Sequence, residues 1–367
     1  MNKIVIASDS FKGTLTSMEV ADSVETGVRA VFPDCEVIKL NVADGGEGML
    51  DAICGVRSFQ KIELEVNDPL GRRIVAPYVI LEDGTALIEM AQSGGLPLLR
   101  PDERNPMKTS TYGTGEMIAD ALARGCRKFM MGIGGSATND AGMGMLSALG
   151  YRFLDENGNE LPGIGASLCK VTSVDGTAVI PSLKEAEFAV ACDVTAPLYG
   201  PQGAAYVYAP QKGADEKMVK MLDAGLWHFA DIVSEKTGMD VSGHPGAGAA
   251  GGLGYAFKSF LNTRLDRGIE IVLDAIGFDS IIKDADLVIT GEGRVDSQTF
   301  TGKTVYGVAE RARAQGVPVM VIAGSVQNCV EIPDSVCVVS AAHAEDELAS
   351  SSDIATAAAQ ALLSYVR

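Results

Sequence analysis

Hydrophobic and polar positions at the start of the chain follow first a strand pattern and then a helix pattern. Lys3 to Ser8 is a short apolar run that predicts a strand, and Thr16 and Glu19 have the spacing of a helix capping box. A second apolar run, Glu36 to Ala43, precedes a helix predicted over Glu47 to Cys54. The apolar residues after the capping box recur at helical spacing and share one face: Ala21, Val24, Val28 and Val31. This order predicts a β-α-β-α start.

The C-terminal part of the chain repeats the same alternation. Strands are predicted over Ala285 to Thr290, Pro318 to Ala323 and Val336 to Ala341, and helices over Lys303 to Gln315 and Ile354 to Val366. Because the two ends share this style, we predict one doubly wound, Rossmann- or flavodoxin-like α/β domain that a second domain interrupts in sequence.

In the middle of the chain, predicted strands and helices are mixed in a way that differs from the two ends. This pattern predicts an inserted α/β domain with a mixed sheet. We place the discontinuous domain at residues 1–66 and 264–367 and the inserted domain at residues 67–263. Helices are predicted to begin near Tyr112, Asn139 and Asp215. The predicted strands are Ile74 to Leu81, Ala86 to Met90, Lys128 to Ile133 and Phe188 to Val194. The cleft between the two domains is then the expected binding site.

One glycine-dense stretch, GIGGSATND at Gly132 to Asp140, joins an apolar strand to the helix predicted near Asn139. Glycines let an anion approach the backbone, and a helix N-terminus presents unpaired N–H groups and the positive end of its dipole. The stretch predicts a phosphate-binding loop, although a strand-to-helix turn without a ligand has the same pattern. The candidate phosphate contacts are Gly134, Gly135, Ser136, Thr138 and Asn139.

The same stretch also fits a dinucleotide fingerprint. Gly132, Gly134 and Ala137 match G-x-G-x-x-A, and Asp155 lies near the distance expected for a ribose-binding acid. A nicotinamide-dependent hydroxy-acid oxidoreductase is therefore the alternative function. A second match, in GAGAAGGLG at residues 246–254, follows no strand and is interpreted as a flexible glycine loop or a helix entry.

Glycines and carboxylates follow three of the predicted strands. The loops are DSFKG from Asp9, DGGEG from Asp44 and GEGRVD from Gly291. Ligands of open α/β sheets bind at the carboxyl ends of the strands, so we expect these loops to form one site. Acids, glycine turns and cations suit a metal-assisted phosphoryl transfer, while each loop taken alone could equally be a turn or a helix cap. The candidate ligands for Mg²⁺ or its water shell are Asp44, Glu292 and Asp296.

Asp193 lies at the end of an apolar strand and is the candidate catalytic base. An aspartate there can take a proton from a substrate hydroxyl, or it can be a cap or a metal ligand. Lys12 is a second catalytic candidate that could contact the substrate carboxylate or a phosphate, and Arg294 could hold a planar carboxylate with two parallel bonds. Ser10 and Asp296 are further candidate substrate contacts.

Composition and charge narrow the class of protein. A chain of 367 residues that is 47% hydrophobic can bury a large core and fits two domains. The net charge of −18 disfavours nucleic acid and anionic membranes as partners but leaves room for an anionic small molecule in a local site. Seven scattered cysteines without a CxxC pair, no apparent membrane span and no signal peptide predict a cytoplasmic protein with reduced thiols.

These segments together resemble the bacterial type-1 glycerate kinase family (glycerate 2-kinases), over nearly the whole chain. The motifs are DSFKG (9–13), VADGGEG (42–48), DPLGR (68–72), STYGTGE (110–116), GIGGSATND (132–140), CDV (192–194), PQKGA (210–214), GAGAAGGLG (246–254) and ITGEGRVDSQT (289–299). The chain departs from the family's pattern at Ala141, Ala196 and Val305, where glycine, asparagine and proline are common.

The resemblance implies ATP-dependent phosphorylation of D-glycerate with Mg²⁺, usually to 2-phosphoglycerate, on two α/β domains. In the leading hypothesis Asp193 deprotonates the glycerate hydroxyl, and Lys12 and Arg294 hold the carboxylate. The partners would be D-glycerate and ATP, without nucleic acid or membrane. Homodimer formation, the phosphorylated hydroxyl and the tolerance of other hydroxy acids stay open. A non-catalytic sensor of organic acids is a third hypothesis, disfavoured by acids that would repel its ligand unless a metal neutralises them.

Overall fold

A computed structural model describes residues 1–11, 14–43, 48–296, 299, 304–327, 336–342 and 349–365. Its strands are β1 (Lys3–Ser8), β2 (Glu36–Asn41), β3 (Phe59–Asn67), β4 (Arg73–Leu81), β5 (Ala86–Glu89), β6 (Lys128–Gly132), β7 (Arg152–Leu154), β8 (Ser173–Asp175), β9 (Glu187–Ala191), β10 (Asn262–Asp266), β11 (Leu287–Val295), β12 (Val319–Val326) and β13 (Val336–Ser340). Its α-helices are α1 (Ser17–Val31), α2 (Met49–Cys54), α3 (Ala91–Gly94), α4 (Tyr112–Ala123), α5 (Met143–Ala148), α6 (Ala204–Tyr208), α7 (Glu216–Thr237), α8 (Ala249–Phe260), α9 (Gly268–Ile276), α10 (Phe278–Ile282), α11 (Thr304–Ala314) and α12 (Ser351–Tyr365). Short 3₁₀ segments lie at Leu96–Leu98, Pro101–Glu103, Gly165–Lys170, Pro181–Glu185 and Pro210–Lys212. Across the described ranges, no helix combines the length and the apolar character that crossing a membrane would need.

The chain divides into two compact units. The first unit contains the described residues of Met1–Asp44, Asp51–Arg57 and Arg267–Arg367, and the second unit contains those of Gly45–Leu50 and Ser58–Asp266. These divisions differ from the expected ones at residues 67 and 263. The reason is strand pairing, because β3 pairs with β4 and β10 pairs with β9, which places both strands in the sheet of the second unit.

The sheet of the first unit is parallel throughout and has the order β13-β12-β11-β1-β2. Counted from the other edge, this is the 2-1-3-4-5 order of flavodoxin-like sheets, which confirms the predicted doubly wound fold. The order reverses between β1 and β11, which pair from Ile4 with Leu287 to Ile6 with Ile289. In such sheets ligands bind outside the carboxyl ends of the strands at this switch point.

Helices α1 and α12 cover one face of this sheet. The predicted capping box of α1 is confirmed, because Thr16 Oγ1 accepts from the N–H of Glu19 and Glu19 accepts from the N–H of Thr16. The two helices pack closely at Gly27, where a Cβ would lie 2.4 Å from the carbonyl oxygen of Ala355. Buried valines of α1 such as Val24 each stabilise this layer by about 1.5–3 kcal/mol.

The sheet of the second unit is mixed, as predicted, with the order β10-β9-β6-β5-β4-β3. The strands from β10 to β5 are parallel, and β4 and β3 are antiparallel to their neighbours. The ring centroids of the stacked Phe129 and Phe188 are 4.7 Å apart, and those of Phe188 and Phe257 of α8 are 5.6 Å apart. Aromatic packing therefore joins the sheet to this helix. Gly132 pairs with Glu89 on one side and Ala191 on the other, which brings the residues after β5, β6 and β9 to one edge of the sheet.

Candidate active site

The loop after β6 runs from Ile133 to Gly142. The sequence predicts a helix near Asn139, but α5 begins only at Met143 and has six residues. Ala141, with φ of 52°, and Gly142, with φ of 70°, have left-handed backbone conformations. Left-handed residues do not belong to a right-handed helix, so the helix starts after them.

Asp140 lies just before α5, and its buried side chain binds N–H groups at the start of that helix. Its side chain is fully buried, and its carboxylate accepts hydrogen bonds from the N–H and the hydroxyl of Thr111, both at 2.8 Å. The same carboxylate accepts from the N–H groups of Gly142 and Gly144, both at 3.2 Å, and the N–H of Met145 donates to Thr111 Oγ1 at 2.8 Å. Burial raises the pKa of Asp140, and the bonds from Thr111 and the two glycines act against that rise. The N–H groups of Gly144 and Met145, at the start of this helix, are therefore already hydrogen-bonded to the side chains of Asp140 and Thr111.

This arrangement corrects the expected role of the helix. A helix-based phosphate site or a dinucleotide fingerprint needs a helix that begins at the glycine turn and keeps its first N–H groups for the ligand. Here the helix begins after further loop residues, and Asp140 and Thr111 bind its N–H groups. An anion at this position has to be held by the loop itself, and the geometry does not support the dinucleotide interpretation of Gly132, Gly134 and Ala137.

The accessible part of the loop is its glycine turn. Gly134 is half-buried, and Gly135 is exposed with a φ of 71° that favours glycine. Hydrogen bonds from the Leu96 N–H to the Gly135 carbonyl (2.8 Å) and from the Ala137 N–H to the Gly94 carbonyl (2.9 Å) hold the turn. Within the described part of the chain, no acceptor binds the N–H of Gly134 or Gly135. The turn therefore keeps main-chain donors for a ligand.

Lys212 lies beneath this turn and was not among the sequence candidates. Its side chain is 2% exposed, and its Nζ donates to Ser136 Oγ at 2.6 Å and to the Thr138 carbonyl at 2.7 Å. Burial lowers the pKa of Lys212 to about 7, and the negative charge of Asp140 acts in the opposite direction. The one signal in the sequence was its place in the PQKGA motif, which carried no assigned role.

Thr138 and Asn139, both expected to contact phosphate, are fully buried in the second half of the loop. Thr138 Oγ1 and both amide atoms of Asn139 have no hydrogen-bond partner among the described residues. Gly251 packs against them from behind, because a Cβ on Gly251 would lie 2.1 Å from the Thr138 carbonyl oxygen. The carbonyl of Gly251 also accepts from the Ala141 N–H at 3.0 Å. Thr138 and Asn139 therefore form the inner wall of the loop, and Gly134 and Gly135 form its accessible side.

The glycine segment at residues 246–254 supports two loops at once. Ala250, Gly251 and Gly252 have φ angles of 51°, 70° and 92°, which form a short left-handed turn inside α8. On its other side, the N–H of Gly248 donates to the Ala196 carbonyl at 2.9 Å, so the segment also contacts the loop that contains Asp193. Of the two interpretations of this segment, the helix entry is confirmed. Helix α8 begins at Ala249, and residues 246–249 are buried.

Asp193 follows β9 at the same edge of the sheet as the glycine turn. The register places Ala191 of β9 beside Gly132 of β6, and Asp193 is exposed. The preceding Cys192 directs its thiol to the Val194 carbonyl at 3.4 Å, and burial raises the pKa of that thiol. Two of the predicted features, the glycine turn and Asp193, therefore follow adjacent parallel strands.

Glu89 is an acid at this edge that the sequence candidates missed. It ends β5, the other neighbour of β6, and is 8% exposed. Its carboxylate accepts from the Leu50 N–H at 3.1 Å and from the Gln92 side-chain amide at 3.3 Å. The rule that ligands bind where parallel strands end could have identified it. A separate groove of about 420 Å³ opens where β6, β9 and β10 begin, at the opposite edge, and is not part of this site.

In the first unit, Asp9 lies at the switch point between β1 and β11. Its N–H donates to the Gly291 carbonyl at 3.0 Å, and Thr304 of α11 donates to Asp9 Oδ2 at 3.0 Å. The candidate Ser10 follows, partly exposed, with its N–H bound to Asp9 Oδ1 at 2.7 Å. The candidate Lys12 lies outside the described residues.

Glu292 and Arg294 lie on β11 itself rather than in a loop after it. The strand extends past the predicted end at Thr290 because it keeps pairing with β12, up to Val295 beside Val326. Alternation along the strand places Glu292 and Arg294 on the same face, at the carboxyl end of the sheet. Ser10, Glu292 and Arg294 therefore belong to two neighbouring strand ends.

Asp296 follows β11 directly, and its N–H donates to Thr299 Oγ1 at 2.9 Å. In the part of the chain that the structure describes, no group of three His, Cys, Asp or Glu side chains could hold a metal ion. The third metal candidate, Asp44, lies outside the described residues. Mg²⁺ usually takes one or two carboxylates together with phosphate oxygens and water, so Glu292 and Asp296 fit its donor set.

Comparison with known proteins gives the family. The model of the glycerate kinase family matches residues 4–367. The chain is 48% identical to glycerate kinase of Bacillus subtilis (strain 168), over 88% of this chain and 85% of that protein. It is 46% identical to glycerate 2-kinase of Escherichia coli (strain K12), over 90% and 87% of the two chains.

A solved structure agrees with this similarity in both fold and sequence. A crystal structure of a candidate glycerate kinase 2 from Salmonella typhimurium LT2 has a TM-score of 0.87 and 42% identity, and it covers 100% of this chain and 98% of its own. The predicted family resemblance is confirmed, and with it the kinase class rather than the oxidoreductase. The chain belongs to the glycerate kinase family and is a phosphotransferase that acts on glycerate.

Proposed function

We propose that the protein transfers the γ-phosphoryl group of ATP to the 2-hydroxyl of D-glycerate and forms 2-phosphoglycerate. The observation that carries the proposal is the accessible turn at Gly134 and Gly135, whose N–H groups have no acceptor in the described chain, next to strand β9, which Asp193 follows. A transferred phosphate needs donors for its oxygens, and the attacking hydroxyl needs a base. This edge of the sheet offers both.

In this proposal the loop holds phosphate oxygens and Asp193 is the base. Gly134 and Gly135 are the contacts on the accessible side, and the buried Ser136, Thr138 and Asn139 complete the loop. As the glycerate oxygen forms its bond to the γ-phosphorus, its proton passes to the Asp193 carboxylate. The bond from the γ-phosphorus to the bridging oxygen breaks, and ADP leaves with that electron pair.

The first unit supplies the remaining candidates. Lys12, Ser10 and Arg294 would hold the carboxylate of glycerate, and charged hydrogen bonds from a guanidinium suit a planar carboxylate. Asp44, Glu292 and Asp296 are the acids that would hold Mg²⁺. When bound, that ion neutralises charge on the phosphate oxygens during transfer. The expectation of a binding site in a cleft between the domains stays a prediction.

The test is the reaction of the purified protein with ATP, Mg²⁺ and D-glycerate, followed by ADP release and by phosphorus NMR of the product. ADP release that needs both glycerate and metal, with a secondary phosphate ester as product, is the expected result. A primary ester would keep the kinase and overturn the position of transfer. Titration with NADH provides a further check, since saturable NADH binding without ATP binding would contradict the proposal.

A further inference from the structure

Lys212 is a buried cation whose charge is only partly balanced. Lysine is almost never fully buried unless its ammonium is paired. Here the two partners of Nζ are a hydroxyl and a carbonyl, those of Ser136 and Thr138. No direct ion pair joins Nζ to Asp140, the nearby buried acid, whose oxygens are used by Thr111 and main-chain N–H groups. When protonated, Lys212 therefore places a positive charge beneath the loop, and no carboxylate among the described residues contacts it.

The loop above Lys212 contains buried polar atoms that destabilise the folded protein. Thr138 Oγ1 and the amide atoms of Asn139 are fully buried and have no hydrogen-bond partner among the described residues. Each such atom loses the hydrogen bonds that water would give it. Buried polar atoms without a hydrogen-bond partner are rare in native proteins, and a functional site is one explanation for them. This observation is independent of Lys212 and points to the same loop as a ligand site.

We propose that Lys212 is the positioning residue of the phosphate loop, residues 134–139. Its two hydrogen bonds fix Ser136 and the Thr138 carbonyl, and its protonated form favours a phosphate group on the accessible side at Gly134 and Gly135. Lys212 is too deeply buried to touch the ligand, so it acts through the loop. The inference rests on the proposed function, because it takes the loop to be a phosphate site.

The phosphate group could belong to either of two molecules in the reaction, ATP or the phosphorylated glycerate. The chemistry that the loop recognises is the same in both, namely the oxygens of a phosphate that accept main-chain N–H bonds above a buried cation. Separate titrations with ATP and with 2-phosphoglycerate distinguish the two sources.

The experiment compares Lys212→Met with Lys217→Met by isothermal titration calorimetry and steady-state kinetics. Lys217 is exposed on α7, five residues further along the chain, so its substitution removes the same charge without touching the loop. We expect Lys212→Met to weaken binding of one of the two phosphate ligands by at least tenfold and to raise its KM, with a smaller change in kcat. Lys217→Met should stay within twofold of wild type.

A purely structural role for Lys212 would have a different signature. Folded Lys212→Met protein that binds both ligands within twofold of wild type would overturn the positioning role while leaving the kinase intact. Wild-type protein with neither ligand binding nor turnover would overturn the proposed function itself, and the positioning role with it. If Lys212→Met does not fold, Lys212→Gln takes its place, since it keeps a side-chain N–H donor beneath the loop and removes the charge. Loss of phosphate affinity in that variant supports the role, and unchanged affinity overturns it.

Discussion

The hydroxyl of Thr111 donates to the carboxylate of Asp140 at 2.8 Å, and both side chains are fully buried. The same hydroxyl accepts from the Met145 N–H at 2.8 Å. One threonine therefore connects the residue before α4, the loop after β6 and the first turn of α5. These bonds explain why the loop keeps its shape without a helix starting at the glycine turn.

Thr111→Val should destabilise the second unit. Valine has nearly the same shape but leaves the Met145 N–H without an acceptor and removes one donor from Asp140, which costs about 1–3 kcal/mol for each buried group left unpaired. The measurement is the midpoint of urea unfolding. Thr26→Val is the control, because Thr26 is exposed on α1, and it should change the free energy of unfolding by less than about 0.5 kcal/mol. Equal losses in the two variants would contradict the role of Thr111.

Gly251→Ala should displace the phosphate loop, whereas Gly238→Ala should not. Both glycines have positive φ, 70° and 76°, so both variants carry backbone strain of about 1–2 kcal/mol. A Cβ at Gly251 would also lie 2.1 Å from the Thr138 carbonyl oxygen, while nothing lies within 4 Å of one at Gly238. We therefore expect Gly251→Ala to lose ATP affinity and extra stability, measured by calorimetry and urea unfolding. Unchanged ATP affinity in that variant would show that the loop does not depend on this contact.

Local features of the fold could be predicted from the sequence, and distant partners could not. The capping box of α1 joins Thr16 to Glu19, three residues apart, so the pattern contains both members. The donor that holds the Asp140 carboxylate before α5 is Thr111, 29 residues away along the chain. No local pattern contains that bond, so the predicted helix start near Asn139 is four residues too early.

The site shows the same division. The rule that ligands bind where parallel strands end predicts the importance of the residues around Gly134 and Asp193, which follow adjacent strands. Glu89 was not predicted from the sequence, because no glycine loop directly follows it. Lys212 was not predicted for a different reason. Its partner Ser136 is 76 residues away, and its burial is visible only in the folded unit.

Ala141→Gly should cost less stability than Ala121→Gly. Both alanines are fully buried and lose the same methyl group, but Ala141 has a φ of 52° and Ala121 lies in the right-handed helix α4. Glycine relieves about 1–2 kcal/mol of left-handed strain at the first position and loses about 1 kcal/mol of helix propensity at the second. Urea unfolding should therefore show Ala141→Gly to be about 2–3 kcal/mol more stable than Ala121→Gly. Similar losses would mean that Ala141 carries no strain.

The stability of the wild-type protein should rise with pH between about 7 and 10.5 relative to Lys212→Met. Burial lowers the pKa of Lys212 from 10.5 to about 7, so in this window the unfolded chain binds more protons than the folded one. Stability then increases with pH by at most about 1.4 kcal/mol per pH unit, and below pH 7 this contribution is flat. Urea unfolding of both proteins at pH 7 and pH 9 measures the difference. Lys217→Met should follow the wild type, and parallel curves for wild type and Lys212→Met would show that Lys212 titrates normally.

Asp193→Asn should lower kcat by about 10²- to 10⁴-fold, because a positioned general base contributes about that much and an amide cannot take the proton. The matched control is Asp266→Asn. Asp266 ends β10, the strand next to β9, so its carboxylate lies at the same edge of the sheet, where it pairs with Arg264. If any change of a carboxylate to an amide at this edge were enough to lower activity, both variants should lose activity to a similar degree. If it accepts the proton, only Asp193→Asn should lose kcat, and its ATP affinity should remain near that of the wild type. Near-normal turnover by folded Asp193→Asn protein would remove Asp193 as the base and direct attention to Glu89, the buried acid at the end of β5.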